Sequence, residues 1–140
     1  MEASYTKPLP VIEPLTAPYW EHAKAHRLVV QKCERCGDRH FPPSPVCPEC
    51  LSEDQSWEVV SGRGKLLSWA TFHRAYWDSF RDDVPYDVCV VQLDEGPTVV
   101  SNFAEKTRET LRIGLPLRVV FEDVTSEISL ARFVVDIVKP

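Results

Sequence analysis

A chain of 140 residues with 44% hydrophobic and 10% aromatic side chains is long enough for one globular domain with a small appendage, and apolar enough to bury a core. Its formal net charge of -5 argues against a general affinity for nucleic acid or for an anionic membrane surface. No apolar run reaches the roughly 18–20 residues that span a bilayer. The prolines and charges of "MEASYTKPLPVIEPL" stand where a signal peptide needs an apolar centre, so the sequence reads as a cytoplasmic chain with reduced thiols and no membrane contact.

In chain order, residues 1–14 carry Pro8, Pro10 and Pro14 and read as an extended arm. Thr16 is placed to cap a helix with Pro18 in its first turn. Tyr19, Trp20, Ala23 and Arg27/Leu28 recur at helical spacing, so "TAPYWEHAKAHR" predicts a short amphipathic helix. His22 and His26 lie one turn apart on its expected surface, without a third ligand that would make them a metal site. Lys24, Arg27, Lys32, Arg35 and Arg39 outnumber Glu34 and Asp38 between residues 22 and 40, giving either an anion-facing surface or a solvated helix face.

"LVVQKCERCG" then reads as a strand entering the first of two Cys-x-x-Cys pairs, and "DRHFPPSPVCPEC" returns through prolines to the second. Cys33, Cys36, Cys47 and Cys50 offer four thiolates to one ion, the set that binds structural Zn²⁺ tetrahedrally and leaves no position for water or substrate. A rubredoxin-like iron uses the same four sulfurs, and disulfides would require an oxidising compartment for which the sequence carries no signal. Gly37 sits where the first turn needs a permissive backbone. With four thiolates saturating the ion, His40 is expected at the surface.

"SWEVVSGRG" predicts a strand and a glycine turn, and the chain divides near Gly62. The divisions are an arm over 1–14, a helix and ribbon over 15–62, and a β unit over 63–140. In that last part "GKLLSWATFHRAYW", "YDVCVVQLDEGP", "TVVSNFA", "LRIGLPLRVVFEDV" and "SLARFVVDIV" read as five strands with turn residues between them, which predicts a small closed or nearly closed barrel. Cys89, on a face with Val91 and Leu93, is expected to be buried as a small hydrophobe.

The chain carries no Gly-rich phosphate loop, no Gly-x-Ser-x-Gly elbow and no paired-histidine metal motif. It does carry "TFHRAYWDSFRDDVPYD". Phe72, His73, Arg74, Tyr76, Trp77, Phe80, Arg81 and Tyr86 fall on a strand end and a loop of about ten residues, where so many rings predict a contact surface for a partner or ligand. The plainer reading is a loop that folds its aromatics back over the barrel mouth.

Together, "YW" on an N-terminal helix, "CERCGDRHFPPSPVCPEC", "GRGKLLSWATFHR", "PYDVCVVQLDEGPTVVSNF" and "GLPLRVVFEDV" resemble a bacterial and archaeal family long catalogued as domain of unknown function thirty-five. The similarity covers about residues 15–138. An arginine usual after the family's Phe-Pro-Pro is replaced by Ser44, which weakens the carry-over of a phosphate contact to that position. The resemblance implies a mainly β chain in which an N-terminal helix and a rubredoxin-like zinc ribbon precede a five-stranded OB-fold barrel. It implies a non-catalytic subunit of a hetero-oligomeric thiolase-superfamily enzyme in acyl-CoA metabolism, in a degradative pathway. Such a subunit stabilises its catalytic partner and helps form the coenzyme A ester site, with Gly62–Gly64 and residues 74–86 as the expected contacts. An aldolase or hydratase complex is the alternative. Two other classes compete: a zinc-ribbon/OB nucleic-acid module, opposed by the acidic charge, and a free-standing acyl-CoA-binding or hydrolytic protein.

Overall fold

The computed structural model describes residues 5–105 and 110–136. Helix α1 spans Ala17–Lys24, with Thr16 at its N-cap and Pro18 in its first turn. The Thr16 hydroxyl turns outward to accept from the Glu13 amide at 3.1 Å instead of capping the helix. The helix also stops short of the predicted end. His26 enters the left-handed region at φ 59, and the Arg27 amide donates back to the His22 carbonyl at 2.9 Å. A non-glycine residue seldom adopts that conformation. Here the imidazole is held elsewhere, stacked on Phe121 with centroids 5.4 Å apart and bonded to Asp123 at 2.8 Å.

Strands β1 (Val29–Cys33), β2 (Arg39–His40) and β3 (Gln55–Val59) form an antiparallel sheet in the order β2-β1-β3. Strands β4 (Arg63–Phe72), β5 (Tyr86–Leu93), β6 (Thr98–Asn102), β7 (Pro116–Asp123) and β8 (Ser129–Val135) form a second, in the order β6-β5-β4-β7-β8. The five expected strands are these. The second sheet nearly closes, because a parallel bridge joins Phe103 to Phe133, the Ala104 amide donates to the Phe133 carbonyl at 2.9 Å, and the Ser101 hydroxyl donates to the Ala131 carbonyl at 2.7 Å.

β4 is the strand that bends. Its register against β5 slips between Leu66 and Ser68, so Leu67 is the extra residue of a bulge. At that kink the Leu66 amide leaves the β5 ladder and donates to the Leu115 carbonyl, which lets β4 serve both β5 and β7. Turns of "DEGP" and the Gly114–Leu115 approach supply the reversals. At the Asp94–Pro97 hairpin the Gly96 amide donates to Leu93 and the Leu93 amide to Pro97, each at 2.9 Å.

Gly62 and Gly64 stand where the chain crosses from one sheet to the other. A Cβ on Gly62 (φ +77) would lie 2.3 Å from Val119 Cγ1, and one on Gly64 would lie 2.3 Å from the Gln92 carbonyl oxygen. Both glycines are buried while Arg63 between them is exposed; they are glycines because the Gly62 backbone lies against β7 and the Gly64 backbone against β5.

The two sheets share one core. Leu28, Val30 and Val60, from the ribbon side, pack with Leu66, Val91, Leu93, Leu117 and Phe133 of the barrel. Each such fully buried side chain contributes roughly 1.5–3 kcal/mol of transfer free energy. Cys89 is buried among them, as expected, and burial pushes its thiol up to about 11. Among the described residues no helix is long and apolar enough to cross a membrane.

Candidate metal centre and contact face

The sulfurs of Cys33, Cys36, Cys47 and Cys50 lie within 4.8 Å of one another, with Cys33–Cys50 and Cys36–Cys47 each at 3.6 Å. Four sulfurs about 2.3 Å from a central Zn²⁺ sit about 3.8 Å apart along the tetrahedron's edges, so the spacing fits the ion. It is far from the roughly 2.05 Å of a disulfide, and all five cysteines are free.

The two knuckles are built alike. The Gly37 amide donates to Cys33 O at 2.9 Å and the Leu51 amide to Cys47 O at 2.8 Å. The Cys33 amide donates to Asp38 O at 2.8 Å and the Cys47 amide to Ser52 O at 2.9 Å. Four residues after its first cysteine, each turn needs a left-handed backbone: Gly37 supplies φ 78 and Leu51, at φ 65, does the same without glycine's freedom. The Cys36 and Glu49 amides point at the Cys33 and Cys47 sulfurs, each at 3.4 Å.

Electrostatics at the cluster point the same way. The Cys36 amide, donating to Cys33, pulls that thiol down to about 7. At Cys36 the Asp38 amide favours the thiolate, yet burial and the three neighbouring sulfurs push the group up to about 12. Cys50 is raised too: the Ser52 amide favours its thiolate, but burial and neighbouring thiols outweigh it. Four sulfurs this close cannot all ionise without a cation among them.

His40 corrects the sequence reading, since it is 8% exposed and not at the surface. It pairs with Gln31 across β1 and β2, and its Nε2 lies 3.0 Å from Gln31 Oε1 while Nδ1 lies 3.3 Å from Asp38 Oδ2. Gln31 Oε1 also accepts from the Ser44 amide at 2.7 Å, and the Ser44 hydroxyl donates to the Val46 carbonyl. Ser44 is thus tied to the buried Gln31 and His40 pair in a polar network that braces the second knuckle. Asp38, His40 and Cys47 also come within 4.8 Å of one another, with His40 Nδ1 bonded to Asp38 itself and Nε2 to Gln31.

The eight expected contact residues separate into two groups. Phe72 and Tyr86, opposite each other on β4 and β5, stack with centroids 5.4 Å apart, and Phe80 on a 3-10 turn at Asp78–Phe80 continues the row 5.9 Å from Tyr86. These three are half-buried and brace the loop. Tyr76 and Trp77 point outward, 61% and 59% exposed. The Arg74 guanidinium lies 5.3 Å from the Tyr76 ring centroid, and Arg81 pairs with Asp78 at 2.9 Å in the open. His73 is exposed and follows the end of β4. Sequence reasoning missed Lys7, whose ammonium lies 2.9 Å from Asp83 and 5.4 Å from the Phe80 ring centroid, laying the N-terminal arm against this loop. No local pattern around Lys7 signals that contact.

Comparison with known proteins places the whole arrangement. Residues 20–55 match the ChsH2 rubredoxin-like zinc ribbon domain and residues 57–122 the ChsH2 C-terminal OB-fold domain. A DUF35 domain-containing scaffold protein of Methanothermobacter thermautotrophicus is 33% identical over 110 residues, 77% of this chain and 82% of the relative. A probable enoyl-CoA hydratase alpha subunit of Thermomonospora curvata is 32% identical over 127 residues, 91% of this chain, which spans 39% of that subunit's length. A solved structure described as the Ltp2-ChsH2(DUF35) aldolase contains a chain that superposes with a TM-score of 0.78 at 32% identity, covering 89% of this chain and 97% of the other. With its ribbon, barrel and cysteine spacing all in place, this chain belongs to the DUF35 family of zinc-ribbon and OB-fold proteins.

Proposed function

We propose that the chain is a non-catalytic scaffold subunit of a hetero-oligomeric enzyme acting on a coenzyme A ester, with catalysis residing in a thiolase-superfamily partner. Cys33, Cys36, Cys47 and Cys50 hold one Zn²⁺. When bound, that ion supplies structure and not chemistry, since four thiolates close its coordination. The ribbon then fixes the first half of the chain against the barrel, and the barrel presents the 74–86 loop to the partner.

The observation that carries this reading is the pair of large rings, Tyr76 and Trp77, held outward by a half-buried row of other rings behind them. Exposed aromatics on a braced loop are the anchors around which protein interfaces form. An aldolase or hydratase partner is the second reading, favoured by the similar hydratase alpha subunit and the similar aldolase complex.

The test is co-purification of the tagged chain from its native host, with metal analysis and assays of thiolysis, retro-aldol cleavage and hydration on the recovered material. A second protein in fixed ratio, about one zinc per chain and one of these activities confirm the reading and choose the chemistry. A chain recovered alone, or with RNA, overturns it.

A further inference from the structure

Between Lys7 and Glu13 the chain is tied at both ends and free in the middle. The Lys7 ammonium lies 2.9 Å from Asp83 and 5.4 Å from the Phe80 ring centroid, which fastens the arm to the aromatic loop. At the other end the Glu13 carbonyl accepts from the Thr16 and Ala17 amides at 3.0 and 2.8 Å, where the chain turns into α1. Among the described residues, none of positions 8–12 makes a hydrogen bond. This stretch, "PLPVI", carries no polar side chain, and Leu9, Val11 and Ile12 are 42%, 76% and 41% exposed. An arm that met only water would gain nothing from three branched apolar residues.

The prolines say how such a segment can be covered. They hold it extended, since each fixes its own φ and disfavours a helical turn at the residue before it. In an extended chain the amide and carbonyl of one residue share an edge, and those of the next face the opposite edge. Pro8, Pro10 and Pro14 all fall on the even edge, which keeps a single donor at Ile12. The odd edge keeps the Lys7, Leu9 and Val11 amides, while that of Glu13 donates to Thr16 Oγ1 at 3.1 Å. The arm can therefore complete a β-ladder on one side only, which suits a single docking and resists indiscriminate pairing. Its position points to the protein it docks on. Lys7, two residues before Leu9, sits on Phe80, and Phe80 touches the outward Trp77 with centroids 6.2 Å apart. The arm thus enters the face that Tyr76 and Trp77 present.

Resting on the scaffold-subunit reading, we propose that residues 8–12 add to an exposed strand edge of the catalytic partner through the Leu9 and Val11 backbone, with Tyr76 and Trp77 packed beside them. Leu9 and Val11 then share one face of the extended sheet and enter an apolar pocket there, while Pro8, Pro10 and Ile12 take the other face. Fastening at both ends lowers the entropy lost on docking.

The test uses the partner that co-purifies with the tagged chain. L9S/V11S should weaken its binding about tenfold or more. I113S should leave it unchanged, since Ile113 is 76% exposed on the turn that pairs with Leu66, away from the end of β4 that leads into the aromatic loop. V11P should cost roughly three- to tenfold more than V11A, and I12P no more than I12A, because position 11 donates to the ladder and position 12 does not. Hydrogen exchange read residue by residue should show the Leu9 and Val11 amides open in the free chain and slowed in the complex, with Ile12 open in both. Unchanged affinity for L9S/V11S, or slowing at Ile12 in place of Leu9 and Val11, overturns the proposal and leaves the scaffold reading standing. Self-association of the wild-type chain that L9S/V11S abolishes overturns it in favour of a second copy, whereas no partner for wild type removes both readings.

Discussion

Replacing Gly62 with alanine should destabilise the protein by about 2–4 kcal/mol, from two separable sources. The backbone sits at φ +77, and holding an alanine there costs about 1 kcal/mol. The added methyl would also lie 2.3 Å from Val119 Cγ1 and 3.3 Å from Val119 Cβ. Val119 cannot simply retreat, because its amide donates to the Gly62 carbonyl at 2.8 Å and its strand is laced to β8. Overpacking of this kind costs roughly 1–3 kcal/mol. Gly114 provides the control, at φ +89 with nothing within 4 Å of an added Cβ, so G114A should lose only about 1 kcal/mol. In a V119A background the 2.3 Å contact is gone and only the 3.3 Å approach to Cβ stays, so the cost of G62A should fall close to the same value. Urea denaturation of the four variants, followed by tryptophan fluorescence, measures all three quantities. If G62A costs no more than G114A, or if V119A leaves the cost of G62A unchanged, close approach to β7 is not what selects glycine at position 62.

Metal removal should lower a single cooperative unfolding transition, and should not release the ribbon from an intact barrel, because Leu28, Val30 and Val60 sit in the barrel's core; calorimetry with and without a zinc chelator, and of C47S, measures it. Burial raises the Tyr19 hydroxyl to about 12, so the fold favours its neutral form. The associated stability is fully present below the ordinary value of 10 and is lost as pH rises from there towards 12. Y19F should therefore flatten the alkaline limb of stability against pH, by roughly 2–3 kcal/mol across that window. Y76S/W77S should leave stability within about 0.5 kcal/mol, since both rings are largely exposed, while abolishing recovery of the catalytic partner; a drop in melting temperature instead would show that the rings pack inward.

The parts of this molecule written in local spacing were legible in the sequence. Two Cys-x-x-Cys turns announced the four-sulfur cluster, and period-two runs between turn residues announced five barrel strands in their correct places. What was not legible depends on pairings across the fold. His40 reads as a surface residue until β2 pairs with β1 and sets Gln31 opposite it. The helix reads on to Arg27 until Phe121 and Asp123, nearly a hundred positions later, hold His26 in a left-handed turn. The first knuckle was visible through Gly37, but the second uses Leu51 in the same conformation, where the residue type gives no signal. Gly62 and Gly64 read only as a glycine turn, because what crowds them, Val119 of β7 at Gly62 and Gln92 of β5 at Gly64, is set by strand pairing.

The core that ribbon and barrel hold in common also sets a condition on the life of the protein in a cell. Because Leu28, Val30 and Val60 share one core with Leu66, Leu117 and Phe133, a chain that failed to acquire its ion would unfold as a whole more often, and would then expose all of these apolar side chains together. Such a chain is a substrate for chaperones and proteases rather than a partner for an enzyme. If the chain serves as the scaffold subunit proposed above, loading of the four sulfurs would act as an inspection step ahead of assembly: copies that pass it would be the ones that display Tyr76 and Trp77 on a braced loop.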